Sequence, residues 1–135
     1  MAKAEAYRAL VTERADSRCE YCYYPQEISN GVLDLEHIVL ESLGGEFEPD
    51  NLALSCRHCN LHKLAKVDGI DPQTGATSRL FHPRKDGWKE HFRLDRQTGE
   101  IVGLTAVGRV TVAELKMNAP LVVSTRLRLL AFGML

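Results

Sequence analysis

The stretch "LEHIVLESLGGEFEPDNLALSCRHCN", residues 35–60, concentrates chemically active side chains in 26 positions. It contains His37, Asn51 and Asn60, a Cys-x-x-Cys pair and several carboxylates. Gly44-Gly45 and Pro49-Asp50 punctuate it, so much of it is predicted to be loop. An ordinary core segment does not need this density of ligands and proton carriers, and we therefore look for a site here.

The four cysteines form two matched pairs, "CEYC" (Cys19 and Cys22) and "CRHC" (Cys56 and Cys59). A disulfide framework is typical of secreted chains, and a redox Cys-x-x-Cys usually occurs once, in a thioredoxin-like context. Two such pairs in a chain with no export signal instead match four thiolates around a tetrahedral Zn²⁺. With all four positions taken by sulfur the ion has no open site, so the predicted zinc is structural.

Length and hydropathy place the chain among small globular proteins. Its 135 residues fit one domain with a modest core. It has no apolar run of membrane-spanning length, and the charged N-terminal stretch "MAKAEAYRALVTERADSRC" does not resemble a signal peptide. We therefore expect no membrane association and a cytoplasmic location.

Charge is distributed unevenly, although the net charge is only −1. Residues 1–56 hold 4 Lys/Arg against 11 Asp/Glu, whereas residues 57–96 hold 9 against 5 and residues 97–135 hold 4 against 2. The basic part could face phosphates if the fold gathers it on one side. A mixed, solvated surface is the alternative that charge alone favours.

Local patterns predict an α+β fold. "KAEAYRALVTERA" has helical spacing, "GVLDLEHIV" and "NLALSC" are typical of two short strands, and "RHCNLHKLAKV" predicts a helix that starts inside the second cysteine pair. We call each Cys-x-x-Cys turn a knuckle. A first knuckle, a hairpin, a second knuckle and a helix, held together by zinc, form a treble-clef arrangement. We assign this core to residues 1–67.

The second half, residues 68–135, is predicted to be an extension packed on the same single domain. "DGIDPQTGATS" (68–78) is polar and turn-rich and predicts a linker. "HFRLDRQTGEIVGLT" predicts a β-hairpin, and "VGRVTVAELKMN" and "LVVSTRLRLLAF" predict two closing helices. We detect no internal repeat.

The order Cys-x-x-Cys, "LEHIVLESLGG", "DNLALSCRHCNLHK" resembles the HNH nucleases, also called ββα-metal nucleases. The resemblance is tight over residues 19–63, and His37, Asn51 and Asn60 occupy the three letters. Residues 80–118 resemble, more loosely, the extension of one group of small bacterial HNH proteins.

This resemblance implies a catalytic role for each residue. His37 would be the general base that takes a proton from water. Glu36 and the amide oxygen of Asn60 would hold a divalent ion, and oxygen ligands favour Mg²⁺ or Mn²⁺. Asn51 would hold the loop and orient His37. Taken singly, each has an ordinary alternative: a structural His, a solvated carboxylate, a helix cap and a turn residue.

The resemblance also implies a nucleic-acid substrate, most simply double-stranded DNA. Arg57, His62, Lys63 and Lys66 could contact its backbone, or be ordinary surface residues. A second cluster further along the chain is more typical of core packing than of substrate contact (His82, Arg84, Trp88 and His91). The family often has Pro where this chain has Val39-Leu40-Glu41, Gly where it has Leu64, and Asp where it has Glu36.

The sequence therefore predicts a metal-dependent DNA endonuclease with one structural zinc. A zinc-stabilised nucleic-acid-binding module without cleavage activity is the second interpretation, and a zinc interaction scaffold is the third.

Overall fold

A computed structural model describes residues 4–135 and confirms the predicted α+β class. After a 3₁₀ turn at Ala4–Tyr7, the elements are α1 (Arg8–Arg14), β1 (Asp34–His37), β2 (Leu52–Ser55), α2 (Arg57–Lys63), β3 (Asp68–Ile70), β4 (Thr77–Arg79), α3 (Trp88–His91), β5 (Phe92–Leu94), β6 (Ile101–Gly103), α4 (Ala106–Glu114) and α5 (Pro120–Ala131). The strands form three separate antiparallel hairpins.

The β1–β2 hairpin lies at the centre of the first half. Its register pairs Glu36 with Ala53 and His37 with Leu52. All four residues of β2 are buried, so this strand supplies core on both faces. Helix α2 starts directly after it, because Cys56 caps the helix with its Sγ atom, and ends where Leu64 takes a φ of +52°.

The linker prediction for residues 68–78 is wrong. Strands β3 and β4 pair there, with Ile70 opposite Thr77. The turn between them is fixed by Asp71, whose buried carboxylate accepts two hydrogen bonds from Arg109 of α4 at 3.0 and 2.8 Å. A polar, turn-rich sequence is thus ordered by one long-range ion pair.

A five-residue turn motif that the sequence analysis did not single out occurs twice. The sequence D-x-Q-T-G occurs at 71–75 and at 95–99, and each copy closes a hairpin. In both copies the first Asp accepts hydrogen bonds from the backbone two residues on, and the Gly has a φ near +77° that other residues rarely adopt. The repeated unit is a turn, and the strands around it differ.

The closing helices agree with the prediction. Thr105 caps α4 through its Oγ1, and α4 and α5 are separated at Asn118-Ala119-Pro120. The Asn118 side chain accepts from the N–H of Ile101 in β6 and donates to its carbonyl, each at 2.8 Å, which joins this break to the β5–β6 hairpin.

The extension contacts the first half through polar anchors as well as the shared core. The indole Nε1 of Trp88 donates to the carbonyl of Tyr21 at 2.8 Å, and Arg84 forms an ion pair with Glu20. A single hydrophobic cluster runs from Val11 in α1 to Met117 after α4. Within residues 4–135, no helix is long and apolar enough to cross a membrane.

Candidate active site and metal centre

The four cysteines converge on one buried point. Their Sγ atoms all lie within 4.8 Å of one another, and those of Cys22 and Cys56 are 3.7 Å apart. Zn–S bonds of about 2.3 Å in a tetrahedron require sulfurs about 3.8 Å apart. All four are free thiols, so the donor set fits a zinc ion, as the sequence predicts.

Two local structures aim the sulfurs. In the first pair, the backbone N–H of Tyr23 donates to the carbonyl of Cys19 at 2.9 Å, which closes the turn, and Tyr23 has a φ of +67°. In the second pair, the N–H of Cys59 donates to the Sγ of Cys56 at 3.4 Å in the first turn of α2. The hairpin between the pairs brings the two knuckles together.

The cluster favours uneven ionisation when considered as thiols alone. Burial opposes ionisation of Cys19, yet hydrogen bonds from the other three thiols hold its pKa well below the ordinary value. Hydrogen bonding with Cys19 raises the pKa of Cys22 and Cys59 well above theirs. A bound zinc ion would deprotonate all four sulfurs and remove this inequality.

His37 ends β1 and lies at the mouth of a loop. Its side chain is 11% exposed, and its Nε2 has no hydrogen-bond partner among the described residues. The nearest charged atom is Oε1 of Glu41, at 3.7 Å, and the imidazole packs at 6.2 Å from the ring of Phe47. This nitrogen is buried, and it has no protein hydrogen bond to break before it accepts a proton.

Asn51 closes the loop that follows His37. Its Oδ1 accepts from Val39 N at 3.0 Å, and its Nδ2 donates to the carbonyls of Val39 and Glu46 at 2.8 and 2.9 Å. Gly45 makes this closure possible, because a Cβ there would overlap the Val39 carbonyl. The loop is therefore fixed two residues beyond His37.

Glu36 is buried and has two partners that the sequence pattern does not reveal. The hydroxyl of Tyr21, inside the first cysteine pair, donates to its Oε1, and Nζ of Lys63 lies 3.6 Å from its Oε2. Burial raises the pKa of Glu36 to about 7, against the lowering effect of Lys63 and Tyr21. Lys63 also donates to the carbonyl of Ile38 at 2.8 Å, which ties α2 to the residue after His37.

Asn60, predicted to share an ion with Glu36, has its amide bonded to a different carboxylate. Its Nδ2 donates to Oδ2 of Asp34 at 3.1 Å, and Nη1 of Arg57 lies 3.8 Å from the same oxygen. Asp34 and Glu36 are two apart on β1, so both face α2. None of the hydrogen bonds or ion pairs within residues 4–135 joins Glu36 or Asn60 to His37, which belongs to the other face of the strand.

The four residues predicted to contact nucleic acid differ in exposure. The side chain of Arg57 is 84% exposed, and that of Lys66 is 41% exposed and 3.0 Å from Glu114. His62 is half-buried and its Nδ1 contacts the carbonyl of His58 at 2.8 Å. Lys63 is 2% exposed and is engaged by Glu36 and Ile38.

A basic groove of about 390 Å³ opens beside the strand end that carries His37. It runs between Ile38-Val39, the end of α2 and the 79–86 turn, and is lined by charged and imidazole side chains (Lys63, Lys66, Arg79, His82, Lys85 and Asp86). Asp86 holds this turn by accepting from Arg79 at 2.6 Å and from His82 N at 2.9 Å. The turn therefore presents Lys85 rigidly to the groove.

His82 supplies a neutral donor to the same groove. Burial, and then the charge of Lys85, lower its pKa. Its Nδ1 accepts from Arg84 N at 3.2 Å, so the neutral ring carries its proton on Nε2. The sequence places His82 with the core cluster, and only the turn geometry reveals its position.

Comparison with known proteins agrees with the site. Residues 19–66 match the family model described as HNH endonuclease. A search of curated proteins and a search of solved structures each gave no match. The matched segment runs from the first cysteine pair to Lys66, and this family implies a metal-dependent, nuclease-type function on nucleic acid.

Proposed function

We propose that this chain is a metal-dependent endonuclease that hydrolyses phosphodiester bonds in DNA. Its core would be a treble-clef ββα-metal unit held by one structural zinc at Cys19, Cys22, Cys56 and Cys59. The observation that carries the proposal is the buried Nε2 of His37, which has no partner among the described residues, at the end of β1 and next to the loop that Asn51 closes, within a segment that matches a nuclease family.

His37 would be the general base. A phosphodiester needs an activated water, and a neutral imidazole can take the proton near pH 7. The fixed loop supports this role, because the three hydrogen bonds of Asn51 hold the backbone just beyond His37. Asn51 would contribute only by holding this loop, and with it His37, in position.

Glu36 and Asn60 would hold the catalytic ion, Mg²⁺ or Mn²⁺. When bound, such an ion neutralises charge on the scissile phosphate and on the leaving oxygen. Carboxylate and amide oxygens suit these ions, and both residues belong to the β1–α2 face. Lys63 and Tyr21 both contact the carboxylate of Glu36, so these contacts would have to loosen or rearrange for Glu36 to coordinate an ion.

Substrate backbone would lie along the basic groove. Lys85 and Lys66 are exposed on its rim, and His82 offers an Nε2–H donor there. Arg57 and His62 on α2 would extend this contact on the other side of the strand. Lys63 would support the site from within, since its charge is buried against Glu36.

The two halves would act as one domain, with residues 1–67 as the nuclease core and 68–135 as an extension docked on it. The anchors of Arg84 and Trp88 on the first cysteine pair support this arrangement. We propose a cytoplasmic location on the sequence alone.

Plasmid nicking tests the proposal directly. His37→Ala should lower the rate by about 10²–10⁴ and leave zinc content and DNA binding intact. Glu36→Ala should also lose activity, with partial recovery at high Mg²⁺ or Mn²⁺. His58→Ala is the matched control, because this histidine lies on α2 and contacts the Lys116 carbonyl and the His62 ring, away from His37 and Glu36.

The outcomes separate the alternatives. Zinc-containing wild-type protein that binds DNA but does not nick it in any divalent ion would be the binding module without cleavage. No DNA binding even at low salt would leave the interaction scaffold. Wild-type rates for His37→Ala would show that another group is the base.

A further inference from the structure

A second groove lies where Arg18 and Tyr23, at the first cysteine pair, meet the segment that follows Trp88. It has a volume of about 600 Å³ and is lined by apolar and aromatic residues (Tyr23, Trp88, Phe92, Leu94, Leu104 and Leu135) and by four cationic ones (Arg18, Lys89, Arg93 and Arg96). No Asp or Glu lines it. The groove therefore combines an apolar surface with a concentration of positive side chains, on a chain whose net charge is −1. We call it the Trp88 groove.

The aromatic floor of the Trp88 groove is held firmly. The rings of Tyr23 and Trp88 have centroids 4.4 Å apart, and Phe92 backs the indole at 5.1 Å. The hydrogen bond from Trp88 Nε1 to Tyr21 O fixes the ring plane. Tyr23 and Trp88 are only half-buried, so part of their ring surface faces the groove.

The cations of the groove are largely unneutralised. Lys89 and Arg93 are exposed, and neither takes part in an ion pair within residues 4–135. Arg18 donates to the carbonyl of Met134, and Arg96 donates at 2.8 Å to an oxygen of the terminal residue Leu135, so the charges left free are those of Lys89 and Arg93. Free positive charge attracts phosphates, and the exposed ring faces beside it can stack on planar bases.

We propose that the Trp88 groove binds single-stranded DNA. Phosphates would contact Lys89 and Arg93, while an unpaired base would lie against Tyr23 and Trp88, the combination that single-strand-binding surfaces use. A duplex keeps its bases stacked inside and cannot offer them to this floor. The choice of DNA rests on the proposed function, whereas the single-strand preference rests on the groove alone and does not involve His37.

Trp88 provides the test, because it is the only tryptophan in the chain. Zinc-containing protein is titrated with a 12-nucleotide oligo-dT, without added Mg²⁺ or Mn²⁺, and the intrinsic fluorescence is followed. We expect saturable quenching that weakens with salt, and tighter binding of the oligo-dT than of a 12-base-pair duplex. Oligo-U and poly-glutamate serve as comparison ligands.

Variants tie the binding to the groove. The double reversal Lys89→Glu/Arg93→Glu should weaken oligo-dT binding at least tenfold at low salt and reduce the log–log salt slope by about 1.4, since each phosphate contact contributes about 0.7 on single strands. Tyr23→Leu should weaken it about tenfold through lost base stacking. Arg128→Glu is the matched control, because Arg128 is exposed on α5 and lines neither groove. It should bind within about threefold of wild type.

Several results would overturn the proposal. Binding without any change in Trp88 emission, or equal weakening by Arg128→Glu, would place the oligonucleotide elsewhere. Equal or tighter binding of the duplex would refute the single-strand preference. Tighter binding of oligo-U would refute the choice of DNA, and equal binding of poly-glutamate would refute the assignment to nucleic acid. A protein that quenches with oligo-dT yet never cleaves DNA would leave this site standing while the proposed function failed.

Discussion

Replacing Glu36 by Gln should change how the stability of this protein depends on pH. Burial raises the pKa of Glu36 to about 7 from an ordinary value of 4.5. The raised value means that the folded state favours the protonated carboxyl. Its contribution to stability is therefore complete below pH 4.5 and is lost as the pH rises through 7.

The size of the effect follows from these two values. One pKa unit corresponds to about 1.4 kcal/mol, so the full difference is about 3 kcal/mol, and most of it falls between pH 5 and pH 8. The glutamine side chain of the variant has no proton to lose. The free energy of unfolding of Glu36→Gln, relative to wild type, should therefore rise by about 2–3 kcal/mol across this range.

Urea unfolding at 25 °C, followed by Trp88 fluorescence with zinc bound, measures this difference at each pH. Contributions from zinc and from other titrating groups are common to both proteins and cancel. Lys63→Met sharpens the test, because it leaves the carboxylate without its buried cation and should cost about 3–5 kcal/mol when Glu36 is ionised. The double variant should recover much of that loss. A difference between Glu36→Gln and wild type that stays flat from pH 5 to pH 8 would refute the burial argument.

Three further predictions address the zinc, the loop and the basic groove. The purified protein should contain about one zinc per chain by elemental analysis, and Cys19→Ser or Cys56→Ser should unfold it, since such sites contribute on the order of 10 kcal/mol; disulfides formed under reducing conditions would contradict this. Gly45→Ala should destabilise the folded protein by about 1–3 kcal/mol and lower the nicking rate, because the added Cβ would displace Val39. Gly44→Ala is the control: this residue has a φ of +92° and open space around it, so the substitution should cost about 1 kcal/mol without a matching loss of nicking rate. Lys85→Glu should weaken duplex binding and lower its salt slope by about 0.9, and an unchanged slope in filter-binding assays would remove Lys85 from the substrate path.

The four-cysteine cluster and the central hairpin were predictable because their signals are local. Cysteine spacing fixes the donor set, and the hairpin and α2 follow from short apolar patterns next to it. The fold of the extension, residues 68–135, was harder to predict from local patterns. The linker prediction for 68–78 failed because the segment owes its order to Arg109, 38 positions from Asp71. The repeated D-x-Q-T-G turn was a signal in the sequence that would have indicated two hairpins.

The setting of Glu36 could not be read from the sequence, because its partners come from two distant segments. A buried Lys on the inner face of α2 is one sign, since Lys63 lies one turn after Cys59 and cannot reach solvent there. Tyr21 is the other, and it lies between two zinc ligands. Its hydroxyl contacts Glu36 while its neighbours Cys19 and Cys22 define the zinc site. The metal-binding knuckle thus positions a buried donor on the carboxylate proposed to hold the catalytic ion. A zinc ion bound at these cysteines would therefore do more than stabilise the fold, because the same four-residue turn, Cys19 to Cys22, sets the environment of Glu36.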